Sequence, residues 1–217
     1  MNFEQARFNM VEQQIRTWNV LDTAILQALS QLPRERFVPA AYQSLAYTDT
    51  EIPLGHGQIM LPPRVDARLA HDLGLSGSET VLEIGTGLGY LSALLAQRSQ
   101  RVISLEMVPE LAAQARANLA AAGIGNVEVR IGNGATDAPA EGPFDAIVLG
   151  GSVSEIPQAL LTQLKVGGKL LAIVGEEPVM QATLVTRASP QQWASRVLWD
   201  TVAPPLLGFA QPSRFKF

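Results

Sequence analysis

Apolar residues change their spacing twice along the chain. Over the first 32 positions they recur at helical intervals, Phe8, Val11, Ile15 and Trp18 in one series, Ile25, Leu29 and Leu32 in another. Pro33 and Pro39 then punctuate the chain around Phe37 and Val38. From Tyr42 to Pro63 the periodicity fades and Pro53, Gly55, Gly57, Pro62 and Pro63 accumulate. A stretch this long predicts a functional loop, because Ile52, Leu54, Ile59, Met60 and Leu61 make it too apolar for disorder. A helix is expected over Arg64–Leu73, stopped by Gly74.

Beyond residue 78 short β-type runs alternate with helical segments. The pattern predicts strands at Thr80–Ile84, Arg101–Glu106, Asn126–Ile131, Asp145–Leu149 and Lys169–Val174. It places helices between them at Tyr90–Gln97, Pro109–Ala122 and Pro157–Gln163, with Gly123 and Gly167 just past helix ends. Such alternation predicts an α/β fold, a Rossmann-like doubly wound and mostly parallel sheet. Ala182–Arg187 and Arg196–Val202 read as consecutive strands, which would give the sheet an antiparallel edge. Residues 1–75 are expected to form an N-terminal helical and loop cap bearing the substrate loop. Residues 76–217 would form the cofactor-binding core, the whole chain being one domain.

Composition narrows the chemistry. With 47% hydrophobic and 17% charged residues, a large buried core is expected. The net charge is −4 and no basic run occurs, so nucleic acid is not expected as a partner. Cysteine is absent, which removes disulfides, thiolate nucleophiles and cysteine-held metals. His56 and His71 are the two histidines and lack metal-ligand spacing, so no metal site is expected. The N-terminus lacks the pattern of a signal peptide, and no apolar run reaches 18 residues. A soluble cytoplasmic protein with no membrane contact is the expectation.

The richest motif is Val81-Leu82-Glu83-Ile84-Gly85-Thr86-Gly87-Leu88-Gly89-Tyr90. An apolar strand breaks into three alternate glycines and then enters a helix, a turn whose backbone can approach a ligand closely. A dinucleotide fingerprint would need its third glycine at position 90, where Tyr90 stands. Glu83 would repel a pyrophosphate, whereas it attracts the ammonium and sulfonium of S-adenosyl-L-methionine (AdoMet). Glu106 ends the second strand 21 residues after Gly85, where a carboxylate meets ribose hydroxyls. Together these features favour AdoMet as cofactor. Gly132-Asn133-Gly134 follows the third strand, and Asn133 can offer a donor and an acceptor to an adenine edge. Glu83, Gly85, Thr86, Gly87, Gly89, Glu106, Asn133 and Gly134 are therefore the candidate cofactor residues.

Several blocks give the chain a resemblance that runs over most of its length. They include Met10-Val11-Glu12-Gln13-Gln14-Ile15-Arg16, Pro33-Arg34-Glu35-Arg36-Phe37-Val38-Pro39 and Ile52-Pro53-Leu54-Gly55-His56-Gly57-Gln58. Phe144-Asp145-Ala146-Ile147-Val148 and Gln163-Leu164-Lys165-Val166-Gly167-Gly168 extend the match. With the glycine motif and Gly132-Asn133-Gly134, the chain resembles the protein-L-isoaspartate O-methyltransferase family. The resemblance implies methyl transfer from AdoMet to the α-carboxylate of isoaspartyl residues in peptides or proteins, a repair reaction. It also implies that Gln58 and position 61 belong to the acceptor loop. There the family runs Thr-Ile-Ser-Gln-Pro after the Gly-Gln, and the serine is associated with catalysis; this chain reads Ile59-Met60-Leu61-Pro62-Pro63. The family's aspartate between two glycines is Asn133 here.

A carboxylate acceptor is already ionised at neutral pH and needs no general base. Losing the serine hydroxyl should weaken such transfer by roughly ten- to a hundredfold without abolishing it. Leu61 makes the pocket wall apolar, so an apolar small-molecule acceptor is the alternative, with His56 as base if that acceptor is a hydroxyl. A third reading is an AdoMet-binding protein whose turnover is weakened or lost.

Overall fold

The structure is a computed structural model that describes residues 2–137 and 139–211. Met1, Ala138 and residues 212–217, which the expected 1–217 unit includes, lie outside the described residues. Seven strands form one sheet in the order β5-β4-β3-β6-β7-β8-β9. They are β3 (Thr80–Ile84), β4 (Arg101–Glu106), β5 (Val127–Ile131), β6 (Phe144–Val153), β7 (Leu164–Glu176), β8 (Val179–Ser189) and β9 (Gln192–Thr201). The first five in this list pair in parallel, and β8 and β9 add antiparallel. This is the doubly wound sheet with an antiparallel edge that the sequence predicts, and its winding reverses between β3 and β6.

Alternate residues of the parallel strands feed two apolar layers. Val81, Val102, Ala146, Val148, Leu171 and Ile173 join one, Leu82, Ile84, Ile103, Leu105, Ile147 and Leu149 the other. Burial on both faces is why these strands read as continuous apolar runs. The first layer also holds residues of α1 (Phe3–Met10), α2 (Thr23–Gln31), α3 (Pro63–Asp72), α4 (Tyr90–Ala96) and α5 (Pro109–Ala121). Cap and sheet thus share one apolar interior. The second layer is covered by α6 (Gln158–Thr162), Trp193 and residues near the end of the chain, Leu206 and Phe209.

Polar contacts pin the cap to β9. Asp72 accepts from Trp199 Nε1 at 2.6 Å and from Arg68 Nε at 3.1 Å, while its other oxygen meets His71 Nδ1 at 2.8 Å. The rings of Trp18 and Trp199 meet edge-on at 6.3 Å. Among the described residues no helix is long and apolar enough to cross a membrane.

The structure differs from the sequence reading in several elements. β7 begins at Leu164 and not at Lys169, so Gly167 lies within the strand and not just past a helix end. Phe8, expected on the inward helical face, is 60% exposed. The helix ends at Met10 and a widened π-type turn follows over Val11–Ile15, rotating the buried face onto Met10, Val11 and Ile15. The aperiodic stretch before Pro63 contains a two-stranded hairpin, β1 (Ile52–Gly55) and β2 (Gln58–Met60). Gly55, His56 and Gly57 all have positive φ there, a turn that glycine permits and periodicity does not report. β6 continues past the expected Leu149, and its pairing with β7 jumps from Val148↔Leu171 to Ser152↔Ile173. Gly150 and Gly151 therefore sit in a bulge, not in a loop after the strand.

Candidate functional site

The bulge and the glycine turn meet at the point where the winding reverses. Gly85, Gly87 and Gly89 have φ of +91°, +55° and +89°, so each occupies backbone that side chains rarely adopt. A Cβ on Gly150 would stand 2.6 Å from the Gly85 carbonyl oxygen, so these two backbones touch only because neither carries a side chain. The turn is held from below. Gly85 N–H donates to Leu105 O at 2.9 Å, and Gly89 N–H closes onto Thr86 O at 2.9 Å. Glu106 Oε2 accepts from Gly87 N–H at 2.8 Å and its Oε1 from Val108 N–H at 3.0 Å. The carboxyl group at the end of β4 thus orders the glycine turn.

Glu83 is wholly buried. Its Oε2 accepts from Ser104 Oγ at 2.6 Å and from Ser92 Oγ, while Oε1 has no hydrogen-bond partner. Burial pushes this carboxyl up to about 8, against the two serine hydroxyls that favour its ionised form; the negative charges of Asp66 and Glu106 add to the rise. One oxygen of this buried carboxyl is left without a hydrogen-bond donor.

Above the turn lies a narrow cavity of about 30 Å³. It is lined by Leu54, Ile59, Met60 and Leu61 from the hairpin and its exit, by Gly85, Thr86, Gly87, Tyr90 and Gly150, and by Asp66 of α3. Burial raises the Asp66 carboxyl to about 6, opposed by the charge and hydrogen bond of Arg34. A nucleoside-sized ligand needs ~300 Å³ or more. The chain's own C-terminal segment accounts for part of the closure. Ser152 N–H donates to Pro204 O and Leu206 N–H to Ser152 O, both at 2.9 Å, and Ser152 Oγ donates to Ala203 O at 2.7 Å. Leu206 is thereby laid on the glycine turn, its Cδ2 2.7 Å from where a Cβ on Gly85 would be. Gly208 lies against the Asn133 side chain.

The structure brings Gly85, Thr86, Gly87, Gly89 and Glu106 to one turn, with Glu83 behind it. Gly134 is buried against Ile84, and Asn133 Oδ1 accepts from Ala135 N–H at 2.9 Å, so the Gly132-Asn133-Gly134 turn flanks the same crevice. Leu61 lines the cavity, 4% exposed. His56 is exposed at the tip of the hairpin, and neither it nor half-buried Gln58 lines the cavity. Sequence reasoning passed over Arg34, Asp66 and Leu206. Arg34 and Asp66 stand among other charges, Glu35 and Arg36 beside one and Arg64 and Arg68 beside the other, so nothing in the sequence marks them; Leu206 carried no signal either, because only the fold brings it to Gly85.

By its strand order and its glycine turn at the reversal point, the protein is a class I methyltransferase fold. Residues 5–202 match the family Protein-L-isoaspartate(D-aspartate) O-methyltransferase. The chain is 42% identical to protein-L-isoaspartate O-methyltransferase 1 of Rhodopseudomonas palustris over 95% of its own length and 85% of that protein. It is 46% identical to the enzyme of Picosynechococcus sp. over 78% of this chain and 76% of that one. A solved protein-L-isoaspartate O-methyltransferase superposes with a TM-score of 0.79 at 25% identity, covering 92% of this chain and 66% of that one. A Plasmodium falciparum structure assigned to the same enzyme type, in complex with S-adenosyl-L-homocysteine, has a similar fold, with a TM-score of 0.77 at 23% identity. The chain belongs to the protein-L-isoaspartate(D-aspartate) O-methyltransferase family.

Proposed function

We propose that the protein transfers the methyl group of AdoMet to the α-carboxylate of isoaspartyl residues in peptides and damaged proteins, the whole chain acting as one unit. Family membership supports the reaction type, and the observation that carries the site is Glu83. A fully buried carboxylate oxygen without a partner, two residues before a glycine cradle, fits a ligand that brings a cationic head. The turn fits as well, since Gly85, Gly87 and Gly89 hold positive φ that keeps its backbone bare of side chains. Glu83, Gly85, Thr86, Gly87, Gly89, Glu106, Asn133 and Gly134 would hold the cofactor, with Glu106 toward the ribose hydroxyls. When bound there, AdoMet supplies an electrophilic methyl group.

The chain's own residues then have three tasks. The glycine turn, fixed to Leu105 and Glu106, sets the position of the ligand. Leu54, Ile59, Met60 and Leu61 exclude water from the acceptor side, which strengthens the few polar contacts that remain. No side chain has to remove a proton, because the acceptor oxygen is already anionic. Rate then depends on alignment.

The test is methyl transfer from labelled AdoMet to an isoaspartyl peptide beside its aspartyl twin. Transfer to the isoaspartyl form alone is expected. No transfer, with AdoMet still bound, would refute the acceptor and leave the fold and cofactor in place. The apolar cavity wall favours one other reading, an apolar small molecule as acceptor, and that same null result would bring it forward. His56 sits exposed at the hairpin tip, so a hydroxyl acceptor would need a different base.

A further inference from the structure

The acceptor side of the cavity holds a carboxyl with no task in the reaction above. Asp66 is 4% exposed and lines the same space as Leu61 and Gly87. Its Oδ2 accepts from Arg34 Nη1 at 2.5 Å, and among the described residues its Oδ1 takes no hydrogen bond. Arg34 is itself wholly buried. It donates from Nε to Ala46 O at 2.9 Å and from Nη2 to Leu61 O at 2.5 Å. One guanidinium therefore fixes both the backbone at Leu61 and the carboxyl of Asp66.

We propose that Asp66 is a further catalytic residue, which takes up a proton as the acceptor binds and donates a hydrogen bond from its carboxyl to the acceptor carboxylate. The proposal rests on the isoaspartyl reading and deepens it. Leu61 has no hydroxyl to offer, and Asp66 is the carboxyl that lines the cavity beside it. Two carboxylates in a dry cavity cannot both stay ionised, so they share one proton. The pair then carries a single negative charge, and Arg34 balances it. A carboxylic acid held neutral to donate a hydrogen bond is an established catalytic device.

The groups facing Asp66 agree with this state. Among the described residues, Arg34 supplies the positive charge paired with Asp66. Tyr90 from α4 is buried with its hydroxyl unpartnered, and burial pushes that hydroxyl up, so it stays neutral. Glu83 from β3 feels Asp66 and opposes its ionisation whenever it is itself charged. With its carboxyl raised to about 6, Asp66 is mostly ionised in the free protein at neutral pH. Acceptor binding near pH 7.5 should therefore draw a proton from solvent.

That uptake is measurable without turnover. An isoaspartyl peptide is titrated calorimetrically into the protein saturated with S-adenosyl-L-homocysteine, in buffers of different ionisation enthalpy. The expected result is uptake of about one proton per peptide by the wild type and none by Asp66→Asn. Asp66→Asn keeps an N–H donor, so its affinity should hold at alkaline pH, where the wild type weakens by up to about tenfold per pH unit. Tyr90→Phe should leave the uptake in place. Binding without uptake, or uptake that persists in Asp66→Asn, overturns the role of Asp66 and spares the methyl-transfer reading. Absence of peptide binding by wild type and variants alike overturns both. The wild-type proton count decides alone if Asp66→Asn does not fold.

Discussion

At the scale of single residues, the cavity reverses the usual economy of buried charge. Glu83 has no cation beside it and sits at about 8, well above a free glutamate. Its folded pKa exceeds its unfolded one, so the folded state holds a proton that the unfolded chain releases between about 4.5 and about 8. The stability it contributes is complete at low pH and is lost as pH rises through that window, by roughly 1 kcal/mol per pH unit. Glu83→Gln cannot ionise and still accepts from Ser92 and Ser104. Its Tm should therefore gain on the wild type between about pH 7 and about pH 8.5, a range that leaves out most of the Asp66 transition. A constant Tm difference across that range would mean that Glu83 keeps an ordinary pKa. Position 61 permits a second test. A serine there can donate to the acceptor, worth roughly ten- to a hundredfold in a charged hydrogen bond. Leu61→Ser should raise kcat/KM for the isoaspartyl peptide by up to that factor, and a fall would show the apolar wall to be the needed surface.

At the scale of elements, the sequence was legible wherever an element's own pattern decides it. β3 and β4 have the expected ends, because both are buried along nearly their whole length and read as short, mostly apolar runs, the first ended by the glycine turn. The hairpin of β1 and β2 was not legible, since its turn rests on three consecutive positive-φ residues. The longer β7 was masked by Gly167 and Gly168, which read as the stop of the preceding helix but lie within the strand. The C-terminal segment was legible least of all. Its hold on Ser152 and the placement of Leu206 on Gly85 join residues far apart in sequence. Leu206 fills space beside the cradle, so a ligand entering there has to displace it. Leu206→Ala removes that competition, and S-adenosyl-L-homocysteine should bind several-fold tighter, a gain of roughly 1 kcal/mol. Equal or weaker affinity in the variant would make Leu206 part of the binding surface.

At the scale of the whole molecule, the cofactor half of the site was readable and the acceptor half was not. The glycine turn, Glu83 and Glu106 lie in one βαβ unit, whose geometry follows from sequence distance alone. Arg34 meets Leu61 and Asp66 across 27 and 32 residues within the cap itself, whose apolar interior is shared with the sheet. That shared interior makes a claim about folding. Leu69 of α3 is fully buried in the layer that also holds Val81 and Val102 of the sheet. Leu69→Ala should cost about 2–5 kcal/mol, the range for opening a cavity at a buried leucine. If cap and sheet are one cooperative unit, the loss should appear as a single shifted transition, identical by tryptophan fluorescence and by far-ultraviolet circular dichroism. Fluorescence is a fair reporter of the junction, because Trp18 of the cap meets Trp199 of β9. Two separated transitions, with only the first moved by Leu69→Ala, would mean that the cap melts from a sheet that stands by itself. The cofactor cradle would then outlast the acceptor pocket, and binding of S-adenosyl-L-homocysteine would survive the first transition while peptide binding did not.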